Sequence, residues 1–162
     1  MNKLSFIALF LFLSCNNYNY TKDDIIFTYQ HHIGVDFKTK TIEVKMIKYN
    51  GVLELSKDEE NKIYSAFNKS GIGKLKGEIV VSDSLPITPI IYSEFKIYQE
   101  GTLKSSLLIN EEFQKKQSSV NEQDRIADFR DVVKQILDRN KSFKLAKDSL
   151  DRYIEKHNLF EL

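Results

Sequence analysis

The side chains able to do chemistry are few and scattered along the 162 residues. His31, His32 and Asp36 come closest to a metal-ligand cluster. A bound ion needs ligands that converge, and neighbours along a strand point to opposite faces. His31 and His32 on one strand therefore read as polar strand-edge residues, and no metal is expected. His157 falls near a helix end, where an imidazole can serve the final carbonyls. Carboxylates occur in runs, Asp58-Glu59-Glu60 and Glu111-Glu112. Those runs lie at helix starts or in loops, where the helix dipole and solubility account for them. None has an apolar setting that would raise its pKa for general-acid work. Asp36 and Glu94 are the carboxylates a hydrolase cleft would have to bring together. Tyr18, Tyr20, Tyr29, Tyr49, Tyr92 and Tyr98 could form a carbohydrate- or protein-binding face, although a half-wet sheet carries tyrosine for structural reasons alone. The sequence contains no Gly-x-Ser-x-Gly, phosphate-binding loop, dinucleotide fingerprint or His-Glu-x-x-His. The expectation is a chain without catalytic residues and without a cofactor.

The remaining reactive residue is Cys15, the only cysteine. Ahead of it stand a singly basic start, Met1-Asn2-Lys3, and the run Leu4 to Leu13, apolar at every position but Ser5. Leu13-Ser14-Cys15 follows, and the chain then turns polar through Asn16, Asn17, Tyr18, Asn19, Tyr20 and Thr21. A basic n-region, a short apolar h-region and a small residue before the cut define an export signal. As a helix the run would reach roughly 15 Å, against a hydrocarbon core of about 30 Å, too short for a permanent span. One cysteine cannot close an internal disulfide, and an unpaired thiol in an oxidising compartment is a liability unless something consumes it.

The segment Phe12-Leu13-Ser14-Cys15 resembles the lipobox of bacterial lipoprotein precursors, with Phe12 where Leu or Val is usual. The resemblance implies that residues 1–14 are a signal peptide cut before Cys15, that the Cys15 thiol carries a diacylglycerol, and that the product is lipid-anchored to a membrane of the bacterial cell envelope. Two acyl chains, at about 0.8 kcal/mol per buried CH₂, suffice for stable anchoring. Residues 15–22 are then the lipidated cysteine and a tether. Lys22-Asp23-Asp24 is similar to the basic-then-acidic motif of some surface-exported lipoproteins of the Bacteroidetes type, but a solvated charge cluster at the edge of the first strand is the better account of three residues. The alternatives for the leader are an ordinary cleaved signal with an incidental cysteine, or an N-terminal core helix.

Composition bounds the partners. The chain has 24 basic and 23 acidic residues, and removal of the signal takes away Lys3, leaving a formally neutral product. Polyphosphate ligands are usually met by a positive field and Arg forks. Only Arg125, Arg130, Arg139 and Arg152 are present, all in the last third, where solvated helix faces explain them. No nucleic-acid partner is expected.

Residues 23–162 are long enough for one domain with a core. Period-two alternation predicts strands over Ile25–His32, Thr41–Lys48 and Val52–Leu55, the last two joined by an Asn50-Gly51 turn. Ser56-Lys57-Asp58-Glu59 reads as a capping box opening a helix to about Lys69, with Ile63, Ala66 and Phe67 as its stripe and Gly71 as its stop. A weaker strand at Gly77–Val81 precedes a connection punctuated by Pro86 and Pro89. Tyr92–Tyr98 and Thr102–Asn110 form a hairpin around Glu100-Gly101, with Leu103, Leu107 and Ile109 on one face. After a polar loop at 114–121, Asn121 caps a helix carrying Ile126, Phe129, Val132, Val133, Ile136 and Leu137. A last helix spans about Leu145–His157, and Leu159 and Phe160 return to the core.

Hairpins demand antiparallel pairing, and one-sided alternation needs one covered face. The expected fold is α+β, a twisted antiparallel sheet of about 5–6 strands with helices packed on one face. The expected function is a non-enzymatic binding module with a possible protein partner, an inhibitor or immunity role being a special case. A cell-wall or glycan hydrolase and a structural envelope accessory are the rivals.

Overall fold

The computed structural model describes residues 23–82, 91–114 and 121–159. The leader, Cys15 and the tether lie outside these residues, as do Pro86, Pro89, most of the polar loop and Phe160. The fold is α+β. Among the described residues seven strands form one sheet in the order β4-β3-β2-β1-β6-β7-β5. They are β1 (Asp23–Tyr29), β2 (Ile33–Asp36), β3 (Thr41–Val44), β4 (Tyr49–Val52), β5 (Gly77–Val81), β6 (Tyr92–Gln99) and β7 (Thr102–Asn110). Among the described residues three helices accompany them: α1 (Lys57–Ser70), α2 (Glu122–Leu137) and α3 (Lys141–His157).

The sheet departs from the expected antiparallel one in two respects. It has seven strands rather than five or six, and it is mixed, because β5 pairs parallel to β7. The extra strand is β2. It has four residues, one of them Gly34, too little alternation to register as a strand of its own. The turn before it uses Gln30 and His31 at positive φ, a conformation normally signalled by glycine. The parallel pairing has no local signature. It arises because the β6–β7 hairpin inserts between β1 and β5.

One face of the sheet is covered. Ile25, Phe27, Ile33, Val35, Ile42, Val44, Phe95, Ile97, Leu107 and Ile109 are all buried there. A file of phenylalanines runs from sheet to helices. Phe27 meets Phe95 at 4.6 Å between ring centroids, Phe95 meets Phe129 of α2 at 4.8 Å, and Phe129 meets Phe67 of α1 edge-on at 5.8 Å. Offset and edge contacts of this kind stabilise beyond the area they bury.

Helix boundaries follow the local chemistry. Ser56 accepts from the Glu59 amide while the Glu59 carboxylate accepts from the Ser56 amide and hydroxyl. These hydrogen bonds from Ser56 hold the Glu59 carboxyl below its ordinary pKa. Gly71 closes α1 in the left-handed conformation. Asn121 and Asp124 form a second capping box on α2. The last helix starts earlier than its apolar stripe suggests, because Asn140 caps it and Phe143 and Ala146 are buried, whereas Leu145 is exposed.

Two hairpins differ from expectation in register. Asn50-Gly51 lies inside β4, opposite Glu43 and Ile42, and the turn is built instead by a 3₁₀ segment Lys45–Ile47 with Lys48 at φ 52°. In β6–β7 the Glu100-Gly101 turn stands as expected, both residues at positive φ. A bulge between Ile97 and Tyr98 sets Ile97 opposite Ser105 but Tyr98 opposite Leu103. Side chains of directly paired residues share a face, so the bulge moves Leu103 to the open face, where it is 48% exposed. Leu159 is likewise exposed rather than returned to the core.

Candidate functional site

The residues singled out from sequence do not come together. His31 and His32 lie in the β1–β2 turn rather than on a strand. His31 is exposed at φ 63°, its ring 6.4 Å from that of Tyr92, and the His32 amide donates to the Tyr29 carbonyl. His157 sits in the last turn of α3, its ring 4.4 Å from Tyr153. Among the described residues no three His, Cys, Asp or Glu side chains gather as a metal site.

Asp36 and Glu94 both lie on the open face but in different rows. Asp36 is opposite Ile26, and Glu94 is opposite Thr28 on the other side of β1. Two inter-strand steps and one row separate them, about 12 Å by ladder spacing. Each is committed locally. The Asp36 carboxylate accepts from the Lys38 and Thr39 amides, stabilising the β2–β3 turn. Glu94 accepts from the Ser106 hydroxyl at 2.7 Å and pairs with Lys96 at 3.2 Å. Tyr18 and Tyr20 lie outside the described residues, and the other four tyrosines of the set do not share a face. Tyr92 and Tyr98 alternate with buried Ser93 and Ile97 and so take the open side, whereas Tyr29 and Tyr49 pack against the core.

Convergence is found elsewhere, at the far rim of the sheet, where β1 ends, β6 begins and β7 ends. Ser93 of β6 is fully buried and its hydroxyl donates to the Glu111 carboxylate. The other oxygen of Glu111 accepts from the Lys134 ammonium of α2. The Glu111 side chain is only 10% exposed, and a carboxylate so placed persists because both oxygens are met by donors. The same ammonium lies 5.4 Å from the centroid of the Tyr29 ring. Lys147 of α3 lies 5.5 Å from that centroid, and Phe143 packs edge-on to Tyr29 at 5.8 Å. Five separate segments thus place a Tyr-Ser-Glu-Lys-Lys group in the seam between α2 and α3.

One turn back along α2, Arg130 corrects the expectation of solvated arginines. It is 6% exposed, and its guanidinium donates to the Asn110 and Phe113 carbonyls and pairs with Asp131. These contacts hold α2 against the end of β7 and fix the height of Lys134 over Glu111.

Two members of the group stand out in the sequence, Tyr29 among the tyrosines and Glu111 among the carboxylate runs, whereas Ser93, Lys134 and Lys147 do not. A lysine one turn beyond Arg130 on the sheet-facing side was the available signal.

A concavity of about 610 Å³ runs between α1 and α2 over a floor of Ala66, Val132 and Ile136. Asp58, Glu59, Lys62, Lys69 and Arg139 surround it, two acids and three bases, and the Glu59 carboxylate is already met by Ser56. No protein-family model matches the chain, no curated protein matches its sequence and no solved structure matches its fold.

Proposed function

We propose that the protein is a lipid-anchored protein of the bacterial cell envelope whose domain is a non-enzymatic recognition module. The observation that carries the reading is the apolar run Leu4–Leu13 ending at Leu13-Ser14-Cys15, followed by polar residues that lead directly into the sheet at Asp23. Eight residue steps separate Cys15 from Asp23, a reach of at most about 28 Å. Strand β1 then carries the chain about 20 Å further, to Tyr29. The tether joins the domain at the Asp23 end of β1, and the Tyr29 rim is the other end of that strand. The polar group in the α2–α3 seam lies on that rim, which favours it as the recognition surface.

The test is Cys15→Ser in the native host. The parent chain is expected to incorporate labelled fatty acid and to fractionate with membranes. The serine variant is expected to incorporate none and to leave the membrane fraction. A variant that labels and fractionates like the parent removes the lipoprotein reading.

A further inference from the structure

We infer that the seam between α2 and α3 above Tyr29 binds a compact oxyanion, a carboxylate or phosphate carried by the ligand; this rests on the proposed reading of the domain as a recognition module. The argument is a balance of donors and acceptors. The acidic side chain in the group, Glu111, is already consumed, one oxygen by Ser93 and the other by Lys134. Lys147 has no carboxylate within ion-pair distance among the described residues, and its ammonium rests on the Tyr29 ring alone. A cation over a ring face keeps N–H groups directed away from the ring, and the contact is weak enough for a stronger acceptor to be added. The Tyr29 hydroxyl is a second donor with no hydrogen-bond partner among the described residues. The seam therefore presents one unmet positive charge and unmet donors over an aromatic floor, beside a carboxylate that cannot supply the missing acceptor. The α1–α2 groove also carries more bases than acids, Lys62, Lys69 and Arg139 against Asp58 and Glu59, but its floor of Ala66, Val132 and Ile136 offers no aromatic ring and no hydroxyl beside them.

The floor is rigid. Tyr29 is fixed by Phe143 and by strand pairing on β1, and Lys134 is fixed by Glu111. A ligand group entering the seam would meet preset geometry on the α2 side and would order only Lys147, which lowers the entropic cost of binding.

The test uses the full chain as isolated from its host in non-ionic maltoside micelles, followed by NMR during titration with inorganic phosphate and separately with propionate, ionic strength being held constant with chloride. Saturable shifts confined to the surroundings of Tyr29, Lys134 and Lys147 are expected for at least one anion, and the anion that saturates identifies the oxyanion class. Lys147→Gln should weaken that binding by about two- to five-fold, the order expected for loss of one exposed charge contact. Lys147→Arg should restore it, and Lys76→Gln, beside β5 at the opposite rim, should leave it unchanged. Shifts that fail to saturate, shifts spread over the exposed lysines, or a Gln variant that titrates like the parent would each overturn the inference. Anion titration intact in a chain that takes up no fatty acid removes the anchor and leaves the site; the reverse outcome leaves the anchor and removes the site.

Discussion

Helices α2 and α3 have nearly the same length and share one side of the sheet, yet they are held there by different means. Eight residues of α2 are buried, among them Ile126, Phe129, Val133 and Leu137, together with the charged Arg130 and Asp124. Only Phe143, Ala146 and Leu150 of α3 are buried, and beyond Leu150 no residue of that helix is. The first helix is keyed into the core by a ring file and a polar network; the second leans on the β3–β4 side through one stripe and its cap. The seam between them therefore has one fixed wall and one lightly held wall. A site can be preorganised on one side and adjustable on the other without any loop being involved.

The largest expected effect tests the fixed wall. Phe129→Ala removes the ring that joins Phe95 to Phe67, at a site fully buried in the core. It should cost about 3–5 kcal/mol in urea unfolding, a large part of the stability of a domain this size. A loss under 1 kcal/mol would mean that α2 is not the keystone described.

Lys134→Ala should come next, at about 2 kcal/mol, because it leaves the Glu111 carboxylate buried with Ser93 as its remaining partner. The comparison sharpens if this variant alters the unfolding midpoint while the amide signals of α3 stay in place. Equal disturbance of both helices would show that the network holds the whole layer.

The smallest effect belongs to the lightly held wall. Asn140 caps α3 through the Phe143 amide, and its side-chain amide donates to the Glu54 carbonyl at 2.6 Å. Asn140→Ala should cost about 1 kcal/mol and raise hydrogen exchange in the first turn of α3 more than anywhere in α2. Exchange rising uniformly would count against a separately held helix.

How much could be read from the sequence depended on whether a feature is local. Ser56, Glu59 and Gly71 delimit α1 by contacts within a few residues, and the expected helix matches the observed one almost to its ends. Asn121 and the α2 stripe were legible for the same reason, and so was the Glu100-Gly101 turn. Asn50-Gly51 shows the limit of a local signal. Its preference for positive φ was overridden by the pairing of Val44 with Tyr49, which satisfies the ladder through Lys48 instead. Leu103 keeps the right alternation for the core, and one bulge turns it outward. The parallel β5, the burial of Arg130 and the assembly around Tyr29 depend on which segments the fold brings side by side, and no window of neighbouring residues contains that information. Hence the candidate site was the least legible part: Tyr29, Ser93, Glu111, Lys134 and Lys147 share no spacing.

The position of β1 has a mechanical consequence. The chain enters the sheet through a central strand, bonded to β6 along residues 23–28 and to β2 along 26–29. Tension applied at Asp23 and directed along that strand would load both antiparallel ladders at once, in shear, since their hydrogen bonds lie across the direction of pull. Bonds strained side by side share a force that a peeled edge strand would take one at a time. A grip at the Tyr29 rim opposed by a pull at the other end would stretch the molecule along its most strongly cross-linked line.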